Sequence, residues 1–161
     1  MRLETPLDLM SQSVQALYNA ESQLILALPR VAARVRFEPL RRALEQHLSQ
    51  TRTHAARLEQ IASMLSVPCG GRRCLAMEGL LREGDENMGF GGDPALVDAA
   101  IIASCQGVEH YEISQYRALK DLAFESPDIV QLLDATLEEE EQASNTLAQF
   151  SQHGRAAGAP Q

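Results

Sequence analysis

Aromatic residues are scarce in this sequence of 161 residues. They make up 4% of the chain, and tryptophan is absent, whereas Ala, Leu, Gln, Glu and Arg are abundant. Runs of β-branched residues are few as well. The abundant residues favour helix over strand, so the composition predicts an all-α protein. The chain length suits one domain with a hydrophobic core of its own.

The three cysteines, Cys69, Cys74 and Cys105, indicate neither a disulfide framework nor a structural zinc site. Their number is odd, and no Cys and His residues have the spacing of a zinc finger. The N-terminal segment carries the charged residues Glu4 and Asp8 and lacks the apolar core of a signal peptide. No apolar run approaches the length of a membrane span. These absences predict a soluble protein of the reducing cytoplasm, without a membrane partner.

Positive charge is also in short supply, since the formal net charge is -8 at pH 7. Binding to the phosphates of nucleic acid requires clustered Lys and Arg side chains. Nucleic acid is therefore not expected as a partner. The one concentration of arginines, between residues 30 and 42, is interpreted as the solvated end of a helix.

Four long segments repeat apolar residues with the period of an α-helix, and each begins beside a proline, which the first helical turn tolerates. The predicted long helices span residues 6–35, 38–65, 93–125 and 127–151. Residues 66–93 are rich in glycine, and within them residues 75–87 favour a short helix. The segment 151–161 has no apolar periodicity and is predicted to be a disordered C-terminal tail, which leaves a single helical domain at residues 1–150.

The connections between these helices predict their directions. A link of a few residues makes the first two long helices antiparallel neighbours. The long connection at residues 66–93 can cross the full length of a bundle, which would leave the third long helix parallel to the second. The pattern predicts an antiparallel four-helix bundle whose long crossover carries a short extra helix.

Carboxylates occur where the apolar pattern requires core residues. On the third long helix, Glu112 shares a stripe with Val108 and Leu119, and on the fourth, Glu140 shares one with Leu133. Burying an ionised carboxylate costs several kcal/mol unless the carboxylate is paired or bound to a metal. The sequence therefore predicts that partners for these two inward carboxylates come from other helices.

Depth along the bundle identifies such partners. Glu21 and His54 lie nearly the same number of residues before and after the turn that joins the first two helices, so they reach the same level. Glu112 and Glu140 are matched in the same way about the turn that joins the last two. Glu109 lies one turn before Glu112 and can reach the same cluster.

Carboxylates this close raise one another's pKa, and a cation would keep them ionised. Carboxylate and imidazole ligands suit iron, manganese or zinc, and bundle cores build di-iron or di-manganese sites from such residues. The candidate metal ligands are Glu21, His54, Glu109, Glu112 and Glu140. The alternative is a metal-free cluster of protonated or hydrogen-bonded carboxylates, with partners among Tyr18, Tyr111 and Tyr116.

Five strings extend over nearly the whole chain, up to about Phe150: YNAESQLILALP, HLSQTRTHAARLEQI, CLAMEGLLREG, VEHYEISQYRAL and TLEEEEQAS. Together they resemble the YciE/YciF stress-protein family, a ferritin-like group, and EHYEI and C-x-A-M-E-G-L are the most specific parts. The resemblance implies a ferritin-like four-helix bundle with a long crossover, a homodimer and a dinuclear metal site. It also implies a role in bacterial stress responses.

The resemblance also implies ligand positions. The residues that match the family's inward carboxylates are Glu21, Glu109, Glu112 and Glu140. Ser49 and Gln50 replace two glutamates of the family, and Ser144 replaces an acidic residue of its last motif, which lowers the charge available to a metal. Two functions remain open: a metal-dependent oxidase or peroxidase, and a non-enzymatic stress or interaction protein that keeps the bundle without a complete metal centre.

Overall fold

The structure is a computed structural model that describes the backbone of residues 3–157 and the side chains of residues 3–151. The described residues form five α-helices and no strand, which confirms the all-α prediction. The helices are α1 (Pro6–Arg34), α2 (Glu38–Leu65), α3 (Leu75–Met88), α4 (Pro94–Leu122) and α5 (Pro127–Ala157). Across the described part of the chain, no helix combines the length and the apolar character that a membrane crossing requires.

The helix ends follow local chemistry. Thr5 caps α1, because its hydroxyl accepts from the backbone N–H of Asp8 while the Asp8 carboxylate accepts from the N–H of Thr5. α4 ends at Leu122 rather than near residue 125, since the N–H of Ala123 bonds two carbonyls of the last turn.

The fifth helix is longer than the sequence predicted. α5 continues to Ala157 instead of ending at residue 151, so the first part of the predicted tail belongs to the helix. Residues 158–161 of that tail lie outside the described residues.

Each of the four long helices packs against two other long helices. α1 and α5 both contact α2 and α4, and α3 lies against α4 and α1. Near the start of α4, Asp98 accepts from the backbone N–H groups of Arg36 and Phe37, just before α2. Phe37 also packs edge-on against Phe150, near the end of α5. Helices α2 and α4 therefore start at the same end of the molecule and run parallel, as the long connection predicted.

The buried side chains form two apolar clusters separated by a polar layer. One cluster contains Leu28, Leu40 and Ile101, and the other contains Leu58 and Leu133. Between them, all four long helices contribute buried polar side chains, which we call the polar layer. Its members are Glu21, His47, Thr51, His54, Glu109, Glu112, Thr136 and Glu140.

Candidate metal centre

The structure brings all five candidate ligands together in the polar layer. Glu21 comes from α1, His54 from α2, Glu109 and Glu112 from α4, and Glu140 from α5. Four of them have no exposed surface, and Glu109 is 3% exposed. Since each side chain projects from a long helix packed against two others, the backbone fixes where these groups converge.

The ligand-type atoms of the layer form two groups. Within each group, one oxygen or nitrogen atom per residue lies within 4.8 Å of the others. The first group is His47, Glu109, Glu112 and Glu140, and the second is Glu21, His54 and Glu140. Both groups contain Glu140, so its carboxylate lies between them.

His47 was missed as a candidate ligand in the sequence. Its Nε2 lies 3.3 Å from Oε1 of Glu109 and 3.9 Å from Oε2 of Glu140, and the side chain is buried. The sequence feature that could have identified it is its position two helical turns before His54, which places the two imidazoles on one side of α2. Burial lowers the pKa of His47, which keeps its ring neutral and able to bind a metal.

Many polar atoms of the layer have no hydrogen-bond partner among the described residues. These atoms include both carboxylate oxygens of Glu112 and both ring nitrogens of His47. Nδ1 of His54 and Oε1 of Glu140 have the ion pair that they form with each other, at 3.0 Å. Buried polar atoms are nearly always hydrogen-bonded, and leaving one unsatisfied costs on the order of 1–3 kcal/mol. Coordination to a cation would satisfy them together, so the residues present fit a divalent metal ion.

Burial shifts three of the carboxyl groups toward the protonated form, Glu109 and Glu112 more strongly than Glu21. Burial raises the pKa of Glu21 to about 7, against the opposing effect of His54. Burial raises the pKa of Glu109 and of Glu112 well above the usual value, and the neighbouring carboxylates raise it further. The protein alone therefore holds protons at positions from which a cation would displace them.

Glu140 differs from the other carboxylates because it pairs with His54. Nδ1 of His54 lies 3.0 Å from Oε1 of Glu140 and 3.6 Å from Oε1 of Glu21. Burial alone would lower the pKa of His54, yet Glu140 and Glu21 raise it to about 10. Burial alone would raise the pKa of Glu140, but the hydrogen bond and the charge of His54 lower it. The layer thus contains one buried imidazolium and one buried carboxylate as an ion pair.

Among the three tyrosines, only Tyr116 bonds to a carboxylate of the layer within the described residues. Its hydroxyl donates to Oε1 of Glu21 at 2.5 Å. Tyr18 donates instead to Glu59, and the hydroxyl of Tyr111 lies 3.0 Å from Sγ of Cys74. Of the tyrosine partners predicted for a metal-free cluster, Tyr116 alone bonds to a carboxylate of the layer within the described residues, and it bonds to one oxygen of Glu21.

The positions that depart from the family pattern differ in their consequences. Ser49 is exposed, so the missing carboxylate there takes no ligand out of the layer. Gln50 is half-buried and lines a cavity of about 60 Å³ between α2 and α5, beside His47 and Glu109. Ser144 is half-buried on α5. Because the amide of Gln50 is neutral, this position contributes no negative charge beside His47 and Glu109.

A carboxylate outside the candidate set orients His54. Oε2 of Glu139 lies 2.8 Å from Nε2 of His54, and both oxygens of Glu139 accept from the guanidinium of Arg57, at 2.7 and 3.1 Å. Arg57 and His54 lower the pKa of Glu139, although burial opposes them. Because an ionised carboxylate only accepts, Nε2 of His54 must donate, and its Nδ1 then faces Glu21 and Glu140.

Replacing Glu139 by Gln should loosen this orientation. We expect Glu139→Gln to lower the pKa of His54 and to cost about 1–3 kcal/mol of unfolding free energy, since a charged hydrogen-bond partner is lost. Nitrogen NMR of the imidazole across pH, together with urea unfolding, would measure both effects. Glu138→Gln, an exposed change on the same helix, is the matched control. An unchanged His54 titration would show that Glu139 does not orient the ring.

Long helices that bring buried glutamates and histidines to one level define a class of helical proteins whose cores are suited to metal binding. The chain belongs to the family described as Domain of unknown function (DUF892), whose model matches residues 5–159. Protein YciF of Escherichia coli K12 is 36% identical over 143 residues, which cover 87% of this chain and 86% of YciF. The resemblance to the YciE/YciF family is thereby confirmed.

Solved structures agree with this assignment. The crystal structure of the E. coli stress protein YciF matches with a TM-score of 0.92 at 32% identity, and the match covers 96% of this chain and 99% of YciF. YcfI from Rhodopseudomonas palustris matches with a TM-score of 0.86 at 37% identity, over 90% of this chain and 94% of YcfI. A Xanthomonas campestris protein with 19% identity and a TM-score of 0.75 shares the fold, with 94% of each chain covered.

Proposed function

We propose that this chain is a ferritin-like four-helix bundle that binds a pair of divalent metal ions in its polar layer. Iron or manganese would be the natural occupants and zinc a substitute, because the available ligands are carboxylates and imidazoles without a thiolate. The observation that carries the proposal is the pair of ligand groups that share Glu140 and that contain several buried atoms, both oxygens of Glu112 among them, without a hydrogen-bond partner among the described residues. The similarity to the E. coli stress protein YciF supports a role in stress responses. A homodimer in the cytoplasm is part of the same proposal.

The residues of the polar layer would form two metal-binding sites. His47, Glu109 and Glu112 would hold one ion, Glu21 and His54 the other, and Glu140 would contact both. When bound, an iron or manganese pair would supply electrons to an oxidant such as dioxygen or peroxide, the divalent ions themselves being oxidised, and this is the oxidase or peroxidase chemistry that we propose. The two apolar clusters around the layer exclude bulk water, and Tyr116 holds one oxygen of Glu21 in place.

A second candidate function is a non-enzymatic stress or interaction protein that binds no complete metal centre. The ion pair of His54 and Glu140 favours this candidate, because it balances charge in the layer without a cation. The amide at Gln50 favours it as well. The unsatisfied oxygens of Glu112 weigh against it, since neither oxygen has a hydrogen-bond partner among the described residues.

Metal content and thermal stability distinguish the two candidates. We expect protein purified without chelator to contain iron or manganese, and metal-free protein to melt at a higher temperature when Fe(II), Mn(II) or Zn(II) is added. A metal present at 100 times its Kd adds about 2.7 kcal/mol of stability, which corresponds to a Tm increase of roughly 5–10 °C for a chain of this size. Elemental analysis and melting curves provide the measurement. No bound metal and an unchanged Tm would favour the non-enzymatic function.

A further inference from the structure

The layer borders a second cavity, on the side of α3. This cavity has a volume of about 40 Å³ and lies among α1, α2, α3 and α4, with His47 and Glu109 in its wall. The same two residues line the cavity between α2 and α5. His47 and Glu109 are therefore approached by two cavities from different sides of the molecule.

The walls of the two cavities differ in chemistry. Beneath α3, the lining is almost entirely hydrocarbon, from side chains that include Leu24, Leu28, Leu44, Leu80, Ile101 and Val108. The cavity between α2 and α5 has apolar walls from Leu44 and Leu147, but its lining also includes the amides of Gln46, Gln50 and Gln142 and the hydroxyl of Thr146. Water and peroxide need hydrogen-bond partners, which the amides supply and the hydrocarbon walls do not.

Contacts to α1 and α4 hold α3 over the apolar cavity. Arg30 pairs with Asp85 at 3.2 Å, and the Nε of Arg34 donates to the carbonyl of Met88 at 3.0 Å. The amide of Asn87 donates to the hydroxyl of Ser104 at 2.8 Å. These contacts fix the C-terminal half of α3, which supplies one wall of the cavity.

We propose that the cavity beneath α3 binds a small apolar molecule and gives it access to His47 and Glu109, and that its ligand is dioxygen. The volume exceeds the roughly 10–15 Å³ that one water-sized molecule needs, and apolar cavities of proteins stay dry while they bind xenon or similar apolar molecules. The choice of dioxygen rests on the proposed function, since an oxidant must reach the polar layer. The cavity and its apolar character do not depend on that function.

Xenon and dissolved dioxygen test the cavity in the metal-free protein. We expect xenon to shift the methyl resonances of Leu80, Ile101 and Val108, and dioxygen, which is paramagnetic, to broaden the same resonances. Ala27→Val adds two methyl groups to a lining residue and should abolish both effects. Leu80→Ala enlarges the space and should strengthen xenon binding. Ala33→Val, an exposed change on the same helix, is the matched control and should leave both effects intact.

Each outcome decides the inference. Shifts that disappear in Ala27→Val, and shifts of Ile101 and Val108 that grow in Leu80→Ala, would support the cavity as a binding site. Absence of xenon shifts in the wild-type protein, or broadening by dioxygen that spares these methyl groups, would overturn it. If Ala27→Val fails to fold, Leu80→Ala still tests the site. Because no metal is present, a negative result here is distinct from a failure to bind metal in the melting experiment.

Discussion

Glu140→Gln should destabilise the metal-free protein by about 3 kcal/mol, the lower end of the range for breaking a buried ion pair. The substitution leaves the His54 imidazolium without the carboxylate that lies 3.0 Å from its Nδ1. Glu139, on the other side of the ring, keeps part of the compensation. The pKa of His54 should fall as a result.

The same substitution should also abolish metal-dependent stabilisation. Glu140 belongs to both groups of ligand atoms, so replacing its carboxylate by an amide weakens both at once. Urea unfolding of the metal-free protein and melting curves with each metal would measure the two effects. Glu138→Gln makes the same chemical change at an exposed position of α5 and should alter neither. A Glu140→Gln protein that retains wild-type stability and its metal response would remove Glu140 from the proposed centre.

The apolar pattern was sufficient to locate Glu112 and Glu140 in the core. Each replaces a core residue on a helix whose stripe is otherwise apolar, so the exception is visible in the sequence. The levels of Glu21 and His54 followed from the constant rise of an α-helix on either side of a short turn. These inferences succeeded because they depend on one helix, or on two helices joined by a short link.

Glu139 and His47 could not be assigned in the same way. Glu139 lies within four consecutive glutamates, 138–141, and the pattern distinguishes only Glu140, which is fully buried. The role of Glu139 comes from Arg57 and His54, which lie far away in the sequence. His47 lies on the flank of its helix, where an imidazole is compatible with a half-exposed position as well as with a buried one.

The cavity beneath α3 could not be predicted from the sequence either. Its existence depends on how the crossover lies against α1, where the side chains of Asn19 and Gln23 bond to the backbone of Cys74 at 2.7 and 3.2 Å. Contacts between a glycine-rich connection and a distant helix leave no periodic signal. The composition of residues 66–93 indicated a crossover with a short helix, and tertiary contacts determined where that helix lies.

Glu112→Gln should have the opposite effect on the metal-free protein and stabilise it. Burial and the neighbouring carboxylates raise the pKa of Glu112 well above its usual value of 4.5. The contribution of such a group to stability is fully present below the unfolded pKa and is lost as the pH rises through the folded pKa. The loss amounts to about 1.4 kcal/mol for each pH unit between the two values. Glutamine resembles the protonated carboxyl group and carries no such loss.

The stabilisation by Glu112→Gln should therefore be near zero at about pH 4 and should grow as the pH rises toward neutrality. Urea unfolding of metal-free wild type and variant at several pH values would measure it, with Glu125→Gln as an exposed control just beyond α4. In melting curves with Fe(II), Mn(II) or Zn(II), the same variant should lose the part of the increase in Tm that comes from the ion at His47, Glu109 and Glu112, because an amide is a weaker ligand than a carboxylate. A variant that is less stable than wild type at every pH would show that Glu112 is ionised and paired in the folded protein. Without metal, Glu112→Gln should raise the free energy of unfolding and Glu140→Gln should lower it. With metal, both variants should show a smaller increase in Tm than wild type. Packing alone would not explain both results. Such a result would indicate that the layer stores protons in place of a cation.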